Sequence, residues 1–435
     1  MGRYFGTDGI RGEYGVFLTE DVAFRLGRSL RTLGVPVVVV GRDTRASGPV
    51  LAASVIRGAT SAGIDAIDLG VVSTPALSYL SGRLEAVGVM ITASHNPYQD
   101  NGLKVFGKGR KLFEREEGAL EDDIAGLHEQ TPPDRPGKLL PGIDAVGLYG
   151  DLLRRVLCPS ALRVALDCAN GSTWAIAPRF FRMTGCDLRL TGVEPDGKNI
   201  NLGVGSTHID HLRSFAHAEG CDVGFAFDGD GDRLIAVDGT GAVYDGDMLV
   251  YVIAVDLKTR GLLNHDRVAL TKMSNLGLVK ALARRGIDVV TTDVGDKHVL
   301  EAMEAADYTV GGENSGHIID RHLLNTGDGV LNALHLLSIM ERTKSSLAAL
   351  TADVRLYPDR LVNVRNVDKA LADDPAVKAA AASVAARLGT DGKVLVRASG
   401  TEPLIRVSVS APTPEEVDEG IAAIVAVIET LRNSR

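Results

Sequence analysis

The sequence repeats one pattern three times: a short apolar run, an amphipathic stretch, and a second short apolar run. Continuous apolar runs are typical of strands buried on both faces of a parallel sheet, and amphipathic stretches between them are typical of crossover helices. The repeats cover residues 37–40, 48–62 and 64–69, then 162–166, 174–183 and 188–190, and then 268–270, 276–285 and 289–292. The pattern predicts three related α/β domains with largely parallel, mixed sheets.

The remainder of the chain follows a different order. After about residue 356 the pattern indicates strand, helix, strand, strand and helix, and it ends in an apolar-periodic stretch at 417–431. This order predicts a smaller C-terminal α+β domain. A proline-rich break lies at 130–137, and a chain of 435 residues suits about two to four domains. The predicted domains are 1–140, 141–245, 246–355 and 356–435.

Charge and composition argue against several classes of partner. The net charge is −9 and there is no basic stripe, which disfavours nucleic acid. No apolar run approaches the length of a membrane span, and the N-terminal residues are polar and glycine-rich. We therefore predict a cytoplasmic protein that binds neither nucleic acid nor membrane. The four cysteines lack Cys-x-x-Cys spacing and are predicted to be buried free thiols: Cys158, Cys168, Cys186 and Cys221.

The stretch TASHNPYQDNGLK at 92–104 follows an apolar run at 87–91 that predicts a buried strand. The NP and NG turn dipeptides predict that Ser94 is exposed on a sharp turn at the strand end, where α/β proteins carry their chemistry. Ser94 is the candidate nucleophile, and ordinary turn chemistry is the alternative. A serine hydrolase is disfavoured because Gly-x-Ser-x-Gly is absent. Neighbouring side chains on an extended segment point apart, so His95 is predicted to be structural support rather than a base.

The stretch FDGDGDR at 227–233 follows another apolar run and carries three carboxylates at every second position, on Asp228, Asp230 and Asp232. A calcium-binding EF-hand loop would need glycine and glutamate at its sixth and twelfth positions, which here hold Arg233 and Gly239. Three aspartates this close repel one another unless a cation is bound, so a metal site is favoured over a solvated turn. Mg²⁺ is the expected ion because it keeps positions open for phosphate oxygens.

The stretch VRASGTEPLIR at 396–406 lies between two strand-like runs near the C-terminus. Two arginines, two hydroxyls and a glycine that exposes backbone amides suit an anion. The stretch lacks the Gly-Lys-Ser/Thr pattern of a nucleotide P-loop, so a phosphate ester is the expected ligand. A solvated hairpin turn is the alternative.

The stretch GGENSGH at 311–317 also follows a strand-like run. Its hydrogen-bond donors and acceptors lie between glycines, which suits sugar hydroxyls. An ordinary polar loop is the alternative.

Taken together and in this order, the four stretches resemble the α-D-phosphohexomutase superfamily. The resemblance extends over nearly the whole chain, from Tyr4 to Arg406. Within the superfamily, further motifs look most like the branch that acts on glucosamine phosphates: FGTDGIRG at 5–12, NIN at 199–201, GSTH at 205–208, KMSNLG at 272–277 and DVGDK at 293–297. One departure is Asn314, where that branch usually carries glutamine.

The resemblance implies a fold and an activity. The expected architecture is heart-shaped, with four domains around a central cleft. The expected reaction interconverts glucosamine 6-phosphate and glucosamine 1-phosphate through a phosphoserine enzyme and a 1,6-bisphosphate intermediate. Its product would supply UDP-N-acetylglucosamine and cell-wall precursor synthesis. The implied cofactors are Mg²⁺, phosphorylated Ser94 and an activating 1,6-bisphosphate of glucosamine or glucose, and the expected state is a monomer or homodimer.

The resemblance also implies roles for particular residues. Phosphorylated Ser94 would complete the metal shell of the three aspartates, and Lys104 and His317 would act as general acid and base. Burial would lower the pKa of Lys104 and make it a plausible base. The remaining implied residues contact the substrate or the transferring phosphate: Arg11, Arg233 and Lys297 by charge, Glu313 and Ser315 at the sugar hydroxyls, and Arg397, Ser399, Gly400, Thr401 and Arg406 at the phosphate.

Three alternatives remain open from the sequence. A phosphomannomutase or phosphoglucomutase of the same superfamily would differ in the sugar loop. A sugar-phosphate sensor that has lost catalysis is disfavoured because the nucleophile, the aspartates, Lys104 and His317 are all present. A metal-dependent phosphatase would release inorganic phosphate instead of an isomer.

Overall fold

The structure is a computed structural model that describes residues 4–6, 8–107, 109–126, 133, 135–399 and 404–433. The chain forms two compact units. The first is composed of Met1–Lys272 and Val290–Thr351, and the second of Met273–Val289 and Ala352–Arg435. Two sheets lie in the first unit, the third lies there except for residues 288 and 289 of its edge strand, and the fourth lies in the second unit.

The first sheet has the strand order β1-β5-β4-β2-β3, with β6 paired to β5. Strand β2 is parallel to β3 and to β4, whereas β5 is antiparallel to its neighbours. The elements of this part are β1 (Ile10–Glu13), α1 (Glu20–Ser29), β2 (Val37–Arg42), α2 (Gly48–Ser61), β3 (Asp65–Val71), α3 (Thr74–Arg83), β4 (Val87–Ile91), β5 (Asp100–Gly107), β6 (Arg110–Lys111) and α4 (Glu114–Gly126).

The second sheet repeats this arrangement with the order β11-β10-β9-β7-β8, in which β7 is parallel to both its neighbours. Strand β10 is antiparallel to β9 and to β11. The elements are α5 (Ala145–Leu153), β7 (Arg163–Asp167), α6 (Ile176–Thr184), β8 (Asp187–Thr191), α7 (Ile209–Ala218), β9 (Val223–Phe227), β10 (Leu234–Asp238) and β11 (Val243–Tyr244).

The third sheet has the order β13-β12-β14-β15, with β14 parallel to β12 and antiparallel to β15. The elements of this stretch are α8 (Gly246–Thr259), β12 (Arg267–Thr271), α9 (Leu276–Arg284), β13 (Asp288–Thr292), α10 (Asp296–Ala306), β14 (Val310–Gly312), β15 (Ile318–Asp320), α11 (Gly329–Thr343) and α12 (Leu347–Leu350). Helix α9 belongs to the second compact unit.

The fourth sheet is antiparallel, with β18 between β16 and β17. Its elements are β16 (Asp359–Arg365), α13 (Pro375–Leu388), β17 (Lys393–Ala398), β18 (Leu404–Ser410) and α14 (Pro414–Asn433). This order of elements is the one predicted after residue 356. The three strand–helix–strand repeats are likewise confirmed, each within two residues at its ends.

Burial explains why these runs form strands. Every residue of β4 and of β9 is buried, as expected for apolar strands covered on both faces. Helix ends follow capping chemistry: Thr19 caps α1, and the Asp328 carboxylate accepts the Leu331 N–H at the start of α11.

None of the helices in the described part of the chain combines the length and apolarity that a membrane span requires. All four cysteines are free, three of them are buried, and Cys158 is half-buried.

Candidate active site

Ser94 lies three residues beyond the end of β4, in a backbone conformation that L-residues rarely adopt. Its φ is +53°, in the left-handed region. Its N–H donates to Thr92 Oγ1 (2.9 Å), and its hydroxyl donates to Asp228 Oδ2 (2.5 Å). The residue is 1% exposed, so the prediction of an exposed serine was wrong. The strand-end position is confirmed, but the turn folds inward because the aspartate loop accepts the hydroxyl.

The aspartate loop follows β9 and buries all three carboxylates. One oxygen from each of Asp228, Asp230 and Asp232 lies within 4.8 Å of the others. The Thr74 hydroxyl donates to Asp230 Oδ2 (2.6 Å), and the Arg233 N–H donates to Asp228 Oδ1 (3.2 Å). The buried Oδ1 atoms of Asp230 and Asp232 have no hydrogen-bond partner among the described residues. Buried carboxylate oxygens without donors fit a hard divalent cation such as Mg²⁺.

The electrostatics of the loop also favour a cation. Burial and the charges of Asp230 and Asp232 raise the pKa of Asp228 well above its ordinary value. For Asp232 burial acts in the same direction, but the Lys104 ammonium and His317 outweigh it and hold its pKa well below the usual range. A bound cation would relieve the repulsion among the three carboxylates that raises the pKa of Asp228.

Lys104 is on β5 and is 1% exposed. Its ammonium donates to Asp230 Oδ2 (2.8 Å) and Asp232 Oδ2 (3.3 Å), and it lies 3.3 Å from Asp8 Oδ2. Burial alone would lower its pKa, but the three carboxylates outweigh burial and raise it. The expectation that burial makes Lys104 a base was therefore wrong: it is buried, but as a stabilised ammonium ion.

His317 comes immediately before β15 and is also buried. Its Nδ1 lies 3.7 Å from Asp232 Oδ2, and its Nε2 lies 3.7 Å from Asp296 Oδ2 and accepts the Gly327 N–H (3.1 Å). Burial lowers the pKa of His317, but Asp232 and Asp296 more than offset this and raise it. Nε2 must give up the Gly327 hydrogen bond before it can take up a proton, while the two neighbouring carboxylates favour the protonated imidazole.

Arg11 and Arg233 are the two arginines of this cluster. Arg11 forms an ion pair with Asp8, and its Nη1 donates to the carbonyl of Ala93 (3.5 Å), next to the candidate nucleophile. Arg233 forms an isolated β-bridge with His317. The structure therefore brings together Ser94, the three aspartates, Lys104, His317, Arg11 and Arg233.

The role of His95 as structural support stays a prediction, but the side-chain geometry assumed for it was wrong. Its Nδ1 lies 3.3 Å from Ser94 Oγ, because the positive φ of Ser94 places the two side chains on the same side of the chain. The argument that neighbouring side chains point apart assumed an extended backbone. Burial, followed by the charges of Arg233 and Arg11, lowers the pKa of His95 to about 4, so the imidazole is neutral at physiological pH.

The predicted sugar-binding residues lie in the loop between β14 and β15 and at the start of α10. Glu313 Oε1 accepts the Gly295 N–H (3.0 Å), and the buried Oγ of Ser315 has no partner among the described residues. Lys297 donates to Glu117 Oε1 (2.5 Å). Asn314 is exposed. These residues do not contact the aspartates directly in any described hydrogen bond.

The predicted phosphate-binding residues belong to the second unit. Arg397 on β17 and Arg406 on β18 are directly opposite each other in the antiparallel register. The buried Nε of Arg406 has no partner among the described residues, whereas Arg397 is exposed. The Ser399 N–H donates to the Leu404 carbonyl (2.9 Å). Gly400 and Thr401 lie outside the described residues.

Sequence analysis missed several residues of the cluster. Asp8 accepts from Lys111 (2.8 Å) as well as from Arg11, and Lys111 also forms an ion pair with Asp296. Asp8 and Asp296 fall within the FGTDGIRG and DVGDK motifs, which was the available signal. Thr74 and Lys111 stand in ordinary sequence, and no pattern distinguishes them.

Models of protein families match most of the chain. Those for phosphoglucomutase/phosphomannomutase alpha/beta/alpha domains I, II and III match residues 2–131, 152–241 and 245–357. The model for the C-terminal domain of the same family matches residues 361–427.

Curated relatives are similar over almost their full length. The chain is 44% identical over 444 residues to a phosphoglucosamine mutase of Bacillus cytotoxicus, covering 99% of each chain. It is 45% identical over 456 residues to a phosphoglucosamine mutase of Leuconostoc citreum, covering 99% of this chain and 98% of the relative.

Solved structures share the fold. A phosphoglucomutase/phosphomannomutase family protein from Burkholderia thailandensis has a TM-score of 0.84 at 24% identity, covering 98% of this chain and 97% of that one. An Aspergillus fumigatus N-acetylphosphoglucosamine mutase, solved with GlcNAc-6P and magnesium, has a TM-score of 0.67 at 17% identity, covering 100% of this chain and 96% of that one.

Proposed function

The chain belongs to the phosphoglucosamine mutases of the α-D-phosphohexomutase superfamily, and from this premise we propose how its residues interconvert glucosamine 6-phosphate and glucosamine 1-phosphate. The observation that carries the proposal is the 2.5 Å hydrogen bond from Ser94 Oγ to Asp228 Oδ2. This bond joins the Ser94 hydroxyl to a loop in which two buried carboxylate oxygens, on Asp230 and Asp232, have no donor among the described residues.

Ser94 carries the phosphoryl group in the resting enzyme. The three aspartates would hold Mg²⁺, which would neutralise phosphate charge during the transfer. The O1 hydroxyl of glucosamine 6-phosphate attacks that phosphorus, so an O1–P bond forms as the Ser94 Oγ–P bond breaks. The product of this half-reaction is glucosamine 1,6-bisphosphate.

Lys104 and His317 handle the charge and the proton. Lys104 keeps its ammonium at physiological pH because its carboxylate neighbours raise its pKa, which suits it to stabilise the departing serine oxygen and to donate a proton. Nε2 of His317 accepts the O1 proton once its lone pair is released from the Gly327 N–H. Arg11 and Arg233 add positive charge around the transferring phosphoryl group.

The second half-reaction reverses these roles. The bisphosphate turns over, its 6-phosphate is attacked by Ser94 Oγ, and glucosamine 1-phosphate leaves as phosphoserine is restored. Glu313 and Ser315 bind sugar hydroxyls, and Lys297 pairs with the substrate once it exchanges its Glu117 partner. Arg397, Ser399, Gly400, Thr401 and Arg406 bind the phosphate that is not reacting. The predicted domains 1–140, 141–245, 246–355 and 356–435 each supply one of these four loops.

The test combines intact-mass measurement with turnover. Wild-type protein incubated with glucosamine 1,6-bisphosphate should gain one phosphoryl group on Ser94 and convert glucosamine 6-phosphate faster than mannose 6-phosphate or glucose 6-phosphate. Ser94→Ala should gain none and lose essentially all turnover. Ser81→Ala is the matched control, because it removes a buried hydroxyl on α3 that donates to the Ser78 carbonyl. Wild-type turnover in Ser94→Ala, or release of inorganic phosphate instead of isomer, would contradict the proposal.

A further inference from the structure

The carbonyl oxygen of Ser94 is held by two side chains that come from distant parts of the sequence. Nη2 of Arg45 donates to it at 3.0 Å, and Nδ2 of Asn201 donates to it at 2.9 Å. The same two groups also donate to the carbonyl of Asn96, at 2.9 Å and 3.2 Å. The carbonyls on either side of His95, those of Ser94 and Asn96, are thus both held by the Arg45 guanidinium and the Asn201 amide.

All three guanidinium nitrogens of Arg45 donate hydrogen bonds within this part of the structure. The residue is 1% exposed, which is rare for arginine unless every donor is paired. Its Nη1 donates to the carbonyls of Asp100 (2.9 Å) and Pro97, and its Nε donates to Asp43 Oδ2 (2.9 Å). The buried Asp43 carboxylate provides the counter-charge and aligns the guanidinium plane, so the donors on the far side all face the nucleophile turn.

Asn201 approaches from the turn that follows β8. Its φ is +59°, and its own N–H donates to the Ala169 carbonyl (2.8 Å). Gly229 of the aspartate loop packs against the same Ser94 carbonyl: a Cβ at Gly229 would lie 2.5 Å from that oxygen and 2.9 Å from Asn201 Nδ2. The held carbonyl therefore lies where the nucleophile turn meets the aspartate loop.

Holding this carbonyl also sets the direction of the hydroxyl. The carbonyl and the side chain leave the same Cα, and the left-handed φ of Ser94 has to be maintained by surrounding contacts. We infer that Arg45 and Asn201 are positioning residues that hold the Ser94 carbonyl so that Oγ faces the aspartate loop. Neither residue has a described contact with the aspartate carboxylates, so both act through Ser94. This inference rests on the proposed role of Ser94 as the phosphate carrier.

Two variants test the inference. Asn201→Gly removes the amide but keeps a residue that adopts positive φ without strain. Arg45→Lys keeps the positive charge beside Asp43 but loses the planar fork that reaches several carbonyls. Asn366→Gly is the matched control, because Asn366 has a φ of +55° and lies on an exposed turn of the second unit.

The measurements are kcat and KM for glucosamine 6-phosphate, the phosphorus NMR signal of phosphoserine, and the thermal unfolding midpoint. In Asn201→Gly we expect kcat to fall about tenfold, because the Ser94 carbonyl loses one of the two side-chain donors that hold it. In Arg45→Lys we expect a fall of about a hundredfold, as for a misplaced reacting group. KM should stay unchanged in both, and the phosphoserine signal should broaden or split. Asn366→Gly should match wild type in all of these.

The outcomes separate this inference from the proposed function. Suppose that wild type carries phosphoserine normally. Unchanged kcat and one sharp signal in Asn201→Gly then overturn the positioning role, even if Arg45→Lys fails to fold. A fall in kcat that the Asn366→Gly control reproduces also overturns it, because the cause would then be general destabilisation. Wild-type protein that never gains phosphoserine overturns the proposed function itself.

Discussion

Replacement of Lys104 by methionine tests the central electrostatic feature of the site. The side chains are similar in size, but methionine leaves Asp8, Asp230 and Asp232 without the ammonium that now lies 2.8–3.3 Å from them. Breaking a buried ion pair by removing one partner costs about 3–5 kcal/mol, because the remaining charge stays buried. At about 2 °C per kcal/mol for a large domain, the unfolding midpoint should fall by about 6–10 °C.

The pH dependence of this effect has a defined sign. The folded-state pKa of Lys104 is raised above its ordinary value of 10.5, so its contribution to stability is fully present below pH 10.5 and is lost only as pH rises through the folded-state pKa. Unfolding measured at pH 7 therefore reports the whole contribution. Turnover should fall by about a hundredfold to ten-thousandfold, as for the loss of a general acid.

Thermal unfolding of Lys104→Met, with and without Mg²⁺, checks the reasoning. Added Mg²⁺ should recover part of the lost stability, because it supplies positive charge to the same carboxylates. Lys344→Met is the control, because Lys344 forms an exposed ion pair with Glu341 (3.0 Å) that should be worth at most about 1 kcal/mol. A midpoint shift in Lys104→Met no larger than in Lys344→Met would refute the argument.

Three further predictions concern other parts of the protein. Asp230→Asn should weaken Mg²⁺ binding by at least roughly tenfold, measured by calorimetry, and equal wild-type activity in excess chelator and in Mg²⁺ would contradict the metal site. Arg397→Ala should weaken phosphosugar binding by roughly tenfold to a hundredfold and leak more bisphosphate while Ser94 stays phosphorylated; unchanged binding would return this loop to a plain hairpin turn. Burial raises the pKa of Asp328 from its ordinary value of 3.8 to about 6, so the folded state loses stability as pH rises from the first value to the second. The free energy of unfolding of Asp328→Asn, relative to wild type, should therefore rise by up to about 3 kcal/mol between pH 4 and pH 7. A difference that does not change with pH would contradict this.

The fold could be predicted from the sequence because its elements follow local periodicity. The apolar run at 87–91 and the repeats at 37–69, 162–190 and 268–292 carry enough buried hydrophobic residues to define strands and helices without knowledge of partners. The edge strands were harder. Strands such as β6 and β11 are two residues long, and only pairing with β5 and β10 defines them.

The details of the site depend on partners that are far apart in the sequence. Ser94 was predicted at a strand end, but its burial results from Asp228, which is 134 positions away. The pKa of Lys104 is raised, whereas the sequence predicted that it would be lowered, because burial was considered without the carboxylates that surround the ammonium. His95 approaches the Ser94 hydroxyl only because Ser94 has a positive φ, which no local pattern indicates for serine.

The cross-strand position of Arg397 and Arg406 gives the C-terminal unit a charge imbalance. Side chains directly opposite each other in an antiparallel pair lie on the same face, and like charges there repel. A phosphate dianion between the two guanidinium groups would turn this repulsion into attraction. Phosphate esters should therefore raise the melting temperature of this unit, most strongly at low ionic strength, where screening is weakest. The bound phosphate would thus serve as the counter-ion of the two arginines, and its binding would stabilise the hairpin.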